Sequence, residues 1–326
     1  MSQRIDTIQA LIWTSRIRYT QTLGWISRNS APVALMVLCL FGSLLFPNFL
    51  TKLNLSAIAF QYSIIGFLAL GQLMVILTEG IDLSQGSMVA FTSIVVATLM
   101  ERYGMPVAIL GGILATTLLG ALNGLLVSRT PIPAFVVTLG MLGIARGLAL
   151  LISGAEPIAI AEPAFTSFGR SRLWELPVSL LLWVAVGVVL YLFLTRRRFG
   201  RHIYAVGGSQ EGARLSGVNV QRVKFLVYVF SAFLTSIGAL IWASRLRSGS
   251  PIGGSGYELE SIAAVVVGGG SLFGGHGTVV GTFAGVLIFG VINSCLNLAG
   301  ISPYWQGTLK GIMILLAVGL SQLRRR

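Results

Sequence analysis

The sequence predicts an all-α membrane protein of about ten transmembrane helices, eight if the two shortest runs are set aside, with both termini in the cytoplasm. Three observations predict this. The chain of 326 residues is 55% hydrophobic and only 10% charged, with a mean hydropathy of +0.85, outside the range of soluble domains. Apolar runs of membrane length recur from residue 31 to residue 323. Lys and Arg are distributed unequally between alternate loops.

Residues 1–30 carry Arg4, Arg16, Arg18 and Arg28 but lack the apolar core and small-residue cleavage site of a signal peptide, so they read as a cytoplasmic leader. A membrane helix needs about 20 mostly apolar residues. Runs of that kind lie at 31–46, 54–77, 87–100, 105–127, 134–152, 176–195, 225–244, 259–272, 278–295 and 306–323. The third and eighth are short and flanked by glycine, which sets the lower count. Residues 31–323 therefore form one transmembrane domain, interrupted by a polar segment at 196–224 and followed by the basic tail 324–326.

With the leader inside, alternate loops separate the basic residues. Arg129, the cluster from Arg196 to Lys224 and the three terminal arginines join the leader on the inner side, whereas the outer loops hold only Lys52, Arg102, Arg170, Arg172, Arg245 and Arg247. The positive-inside bias thus places both ends in the cytoplasm. It also accounts for the formal charge of +13 without nucleic acid, since no long basic face with interleaved aromatics is present.

Glycine spacing gives a packing code. In "GTVVGTFAG", Gly277, Gly281 and Gly285 fall at four-residue intervals, and Gly120/Gly124, Gly143/Gly147 and Gly307/Gly311 repeat the small-xxx-small pattern that lets helix backbones approach closely. Catalytic chemistry is sparse. There is no phosphate-loop, His-Glu-x-x-His or Gly-x-Ser-x-Gly pattern, and the only histidines are His202 and His276. Cys39 and Cys295 each sit alone in an apolar run, so neither a disulfide, a metal site nor a cofactor site is indicated.

A few polar residues stand close to hydrocarbon. "TEGIDLSQGS" (78–87) puts Glu79 and Asp82 at the end of the second run, where interfacial water or capping of the third helix explains them. Glu258 and Glu260 read as outer caps of the eighth helix. Arg146 lies inside the fifth run and either snorkels outward or faces a polar cavity.

The segment 196–224 divides in two. Arg196, Arg197, Arg198 and Arg201 anchor the sixth span. Beyond them Ser209 is an N-cap, Glu211 lies in a first turn, Arg214 in a last turn, and Gly217 is a stop, together a helix of about two turns. A helix that short is marginal alone in water, so it must rest on its own bundle or on a partner.

At these residues the chain resembles the permease subunits of bacterial ATP-binding-cassette importers for monosaccharides, the ribose, arabinose, xylose, galactofuranose and autoinducer-2 type. The resemblance is carried by "GIDLSQGS" (80–87), "PAFVVTLGMLGIARGLALLISG" (133–154), "FGRHIYAVGGSQEGARLSGVNV" (199–220) and "GYELESIAAVVVGGGSLFGGHGTVVGT" (256–282). It implies an inner-membrane subunit that translocates a neutral sugar without catalysing a reaction itself. The implied partners are a separate ATPase with tandem cassettes, a periplasmic sugar-binding protein and a second permease copy, identical or related. It further implies that Gly208, Ser209, Gln210, Glu211, Gly212, Ala213, Arg214, Leu215, Ser216 and Gly217 form the helix that docks in the ATPase. The family often has Asn, Ala and Gly where Ser209, Gly212 and Glu79 stand, and Gly212 should weaken the helix by about 1 kcal/mol. A neutral hydroxylated solute needs amides and hydroxyls along its path, for which Gln72, Asn123, Arg146 and Asn293 are the candidates. Two rivals stay open: an ion-coupled secondary transporter, against which stands the lack of an acid deep in a span, and a branched-chain amino-acid permease of the same importer class.

Overall fold

A computed structural model describes residues 30–302, 305–309, 311–312, 315 and 319. The leader, apart from Ser30, the basic tail and much of the run 306–323 lie outside these residues. The chain forms α1 (Ser30–Leu45), α2 (Lys52–Leu77), α3 (Gln85–Tyr103), α4 (Met105–Arg129), α5 (Ala134–Ser153), β1 (Ile158–Ala159) and α6 (Pro163–Phe168). It continues through β2 (Arg172–Leu173), β3 (Leu176–Pro177), α7 (Val178–Arg196), α8 (Arg198–Gly208), α9 (Gln210–Leu215), α10 (Val220–Leu246), β4 (Ser248–Gly249), α11 (Tyr257–Val267) and α12 (Val279–Leu298). Six of these, α2, α4, α5, α7, α10 and α12, are long and apolar enough to cross a membrane by length and composition, and α1 is a shorter apolar helix. The protein is a helical membrane protein.

α2 is apolar on every side, as a helix buried all round must be. Its residues from Tyr62 to Leu77 are buried without a break, and α7, α10, α11 and α12 pack around it. Gly66 makes room for the fully buried indole of Trp183 on α7, which stacks on Phe283 of α12 with ring centroids 4.0 Å apart. α4 lies against α10 because Gly120 and Gly124 leave no side chain between the backbones: a Cβ at either would meet the Tyr228 or Phe225 carbonyl.

The two short runs sit differently from the long spans, for one reason, although 87–100 is helical throughout. α2 ends at Leu77, but the chain does not proceed into a loop outside the bundle. Residues 80–84 run back non-helically beside α2, and α3 begins at Gln85, whose amide donates to the Leu68 carbonyl at 3.0 Å. Leu68 lies nine residues before the end of α2, about 13 Å along the helix axis, so α3 starts inside the bundle. Residues 248–256 enter from the other end. Ser250 N–H donates to Ser93 Oγ at 3.1 Å, and Gly254 reaches the Gly86 carbonyl before α11 begins. α11 has only 11 residues, about 16 Å of rise, half a bilayer. The expected run 259–272 is corrected accordingly: after Val267 the chain is a glycine turn to residue 277. α3 and α11 thus begin beside one another in the interior and lead to opposite ends.

Short strands close the end opposite α8 and α9. β1 pairs antiparallel with β4, and β2 with β3. The β2–β3 hairpin turns on Trp174 and Glu175, both with positive φ. It is held to the start of α2 by Lys52 and Glu175 at 2.8 Å, a pair that keeps the Glu175 carboxyl below the usual carboxylate range but, being exposed, adds little stability.

On α12, Gly281 and Gly285 lie against the carbonyls of Gly268 and Ala264, and a Cβ at either would overlap them. Gly277 is not on that helix; it lies in the turn before the N-cap Thr278. Gly143 and Gly147 have nothing within 4 Å. Gly285→Ala is therefore expected to lower stability by about 3 kcal/mol, read as a fall in thermal midpoint in detergent, while Gly143→Ala leaves the midpoint unchanged or slightly raised.

Candidate functional site

Two regions gather the polar residues, and they share the end of α2. The first is the returning segment 80–84. Backbone in a membrane interior must find its hydrogen bonds within the protein. Here several of the partners are identifiable. Gly80 N–H donates to the Val75 carbonyl at 3.0 Å. Thr138 on α5 donates to the Ile81 carbonyl at 3.0 Å. The Gln72 amide, oriented by its partners, accepts from Asp82 N–H at 3.2 Å and donates to the Asp82 carbonyl at 3.2 Å and Gln85 Oε1 at 3.3 Å. One side-chain amide thus replaces a neighbouring strand.

The Asp82 side chain completes the network. Its Oδ1 accepts from Ser84 N–H at 3.0 Å and Ser84 Oγ at 2.5 Å, and its Oδ2 accepts from Ser231 of α10 at 3.4 Å. Asn123 of α4 donates to Ser84 Oγ at 3.0 Å, and Ser261 of α11 donates to Gln85 Oε1 at 2.8 Å. Asp82 has 0% exposure, so the expectation that it sits in interfacial water is corrected. Burial is possible because the carboxylate is supplied with donors.

Among the four path candidates, Gln72 and Asn123 belong to this network and are fully buried. Arg146 holds the second returning segment: its guanidinium donates to the Pro251 carbonyl at 2.7 Å, the Gly253 carbonyl at 3.2 Å and Ser255 Oγ at 3.1 Å. Asn293 is buried on α12, outside these bonds. Hydrogen bonds connect Gln72 and Asn123 through Asp82 and Ser84, whereas Arg146 bonds to the second returning segment. Glu258 caps the α11 N-terminus through Gly256 N–H at 3.2 Å, and Glu260 is buried, accepting from the Tyr62 hydroxyl at 3.4 Å. Both therefore lie at an interior helix start and not at an outer surface.

The second region is the polar segment. α8 follows α7 after an extended break at Arg197, with Gly200 packed on the Leu194 carbonyl, and turns Ile203, Val206 and Gly207 inward, leaving Arg198 and Arg201 exposed. Ser209 caps α9 by accepting from Gly212 N–H at 3.0 Å. Gly217 ends it at φ +79°, with Gly217 N–H donating to the Arg214 carbonyl and Val218 N–H to the Ala213 carbonyl, each at 3.0 Å, the double closure of a left-handed C-cap. Ala213 faces inward at 4% exposure, whereas Glu211, Arg214 and Leu215 face out, Leu215 at 84%. Gly208 ends α8, and Ser216 donates back to the Gly212 carbonyl at 2.9 Å.

Backbone contacts join the two regions. Gly207 lies against the Leu77 carbonyl, Gly275 N–H donates to that carbonyl at 3.1 Å, and the Tyr204 hydroxyl donates to the Gly277 carbonyl at 2.9 Å. Burial pushes the Tyr204 phenol up, so it stays protonated as a donor. Sequence reasoning did not find Ser231, Ser261 or Tyr204, single polar residues in apolar or amphipathic runs. The polar density of "DLSQ" was the available signal for Asp82, Ser84 and Gln85.

Comparison with known proteins gives one direction. Residues 54–318 match the family described as branched-chain amino acid transport system / permease component. The chain is 39% identical over 302 residues to the ribose import permease protein of Escherichia coli (strain K12), covering 91% of this chain and 94% of that one. It is 41% identical over 293 residues to the ribose import permease protein of Bacillus subtilis (strain 168), covering 89% and 91%. It is 34% identical over 303 residues to the D-allose transport system permease protein of Escherichia coli (strain K12), covering 92% and 93%. No solved structure matches the chain significantly.

Gln72→Leu keeps the volume but strips Asp82 N–H and C=O of their partners, an expected loss of about 2–5 kcal/mol for two buried backbone groups. Thermal unfolding of the detergent-solubilised protein checks it: a stable Gln72→Leu protein would return Gln72 to the path.

Proposed function

The chain belongs to the branched-chain amino acid transport system / permease component family, and from that membership we propose that it is the membrane subunit of an ATP-driven importer of a neutral monosaccharide in the bacterial inner membrane. Similarity to ribose and D-allose permeases over nine-tenths of each chain carries the sugar reading, and against it the amino-acid alternative has only the family's descriptive title. The arginine-rich end with α8 and α9 is cytoplasmic, following the positive-inside asymmetry. The hairpin end faces the periplasm and a sugar-binding protein.

α9 is the docking element for a separate ATPase, one with tandem cassettes by family likeness, and the observation that supports docking is Leu215. A leucine at 84% exposure on a helix capped at both ends, flanked by Glu211 and Arg214, is an apolar knob with charges of both signs beside it. Such a knob fits a cleft on another protein. Ala213, turned inward, seats the helix on its own bundle, so α9 and α8 move as part of the bundle. A second permease copy, identical or related, would provide the other wall of the sugar path.

The ion-coupled rival needs a titrating acid free to change partners. Asp82 is deep enough, but its carboxylate is occupied by Ser84 and Ser231. Uptake of radiolabelled ribose, D-allose and L-arabinose into cells expressing the importer, with an uncoupler present and ATP held constant, distinguishes the two: uptake persists for the ATP-driven protein. Leu215→Asp is expected to reduce uptake by about tenfold or more, the loss of a buried leucine contact and gain of a buried charge, with membrane expression unchanged. Full uptake by that variant would remove α9 as the docking element.

A further inference from the structure

We propose that Glu79, Gln210 and Lys224 form a latch that ties the first residue of α9 to the start of the buried returning segment, so that displacement of α9 is passed to residues 80–84. This deepens the reading of α9 as the docking helix and rests on it. Gln210 is held at both ends of its amide: its Nε2 donates to Glu79 Oε2 at 3.2 Å, and its Oε1 accepts from Lys224 Nζ at 3.0 Å. A side-chain amide with donor and acceptor both engaged has one orientation, and so acts as a spacer of fixed length. The ammonium and the carboxylate at its two ends attract one another as well.

Glu79 is an unusual place for that spacer to end. Its φ of +64° is a conformation that residues with a side chain rarely adopt, and such positions persist where their surroundings hold them. The segment immediately after Glu79 has no slack. Gly80, Ile81, Asp82 and Ser84 are each hydrogen-bonded, to α2, α5, α2 and Asn123 of α4 respectively. Behind the latch, Gly207, Gly274 and Gly275 pack backbone to backbone against Leu77 and Glu79, so the junction has no flexible side chain to absorb a shift. Movement of Gln210 therefore displaces Glu79, and with it the network around Asp82. The latch lies at the solvent-exposed edge, where Glu79 is exposed and Gln210 and Lys224 are half-buried. It can be released and remade without burying an unpaired charge.

Hydrogen–deuterium exchange on the full chain in lipid nanodiscs tests the latch without ATPase or sugar, so its outcome is independent of whether the transport reading holds. Gln210→Ala and Glu79→Ala are each expected to speed exchange about tenfold in both 78–86 and 209–217, since opening on one side of the contact frees the other. Glu79→Gln keeps an acceptor for Gln210 and should stay within about twofold of the unmodified protein, as should Glu211→Ala, an exposed neighbour outside the latch. If Gln210→Ala alters 209–217 alone, its role is local and the latch is overturned; exchange unchanged in both segments overturns it equally.

Discussion

The structure depends on supplying hydrogen bonds to a stretch of non-helical backbone in the interior of a membrane bundle. Residues 80–84 cannot bond to themselves, and lipid offers nothing. Gln72 does for Asp82 what a strand would do, and Thr138 does the same for Ile81. The side chains of Asp82, Ser84, Gln85, Ser231 and Ser261 extend the network into the surrounding helices. Four helices are thereby fixed around one segment, since α2, α4, α5 and α10 each contribute a partner, and α11 joins through Gln85. A network bonded this extensively is stiff, with Asn123 Oδ1 left buried without a hydrogen-bond partner among the described residues.

Glycine makes the geometry available. The two returning segments meet where Gly86 faces Gly254 and Glu258, and where Gly249 lies on the Ser93 carbonyl. A side chain at any of these would collide with backbone. The same holds at the turn from α11 to α12, where Gly268 faces Gly281. The 40 glycines thus serve partly in helix pairs, such as α4 with α10, and partly in segments that re-enter the bundle. Arg146 is the polar counterpart on the second segment, gathering two carbonyls that would otherwise face hydrocarbon.

These features give a transport subunit a mechanical character. The end of α2 is at once the floor of the buried network and the surface on which α8, α9 and the turn 270–277 rest. Close backbone contact at Leu77 and Gly207 leaves little compliance between them. Packed interiors respond to force by switching between discrete arrangements and not by bending smoothly. The proposed docking helix, seated there, is well placed to bias such a switch, and no reactive group is required for it.

Legibility in the sequence tracks how local each signal is. Composition and run length specified a helical membrane protein, because apolar length is read directly against bilayer thickness. Ser209 and Gly217 marked the start and stop of α9, since caps are decided by backbone groups within four residues. The motifs "GIDLSQGS" and "GGSQEGARLSG" pointed to the family. The depth of Asp82, the function of Gln72 and the length of α11 were not legible. Each depends on where residues 80–84 and 248–256 turn, and that is set by contacts across more than a hundred residues, such as Gln85 with Ser231 and Arg146 with Pro251. Sequence alone determined the solvent the protein lives in and the boundaries of its longer helices; tertiary structure decided which polar residues are buried, because only folding brings a donor to each acceptor that water cannot reach.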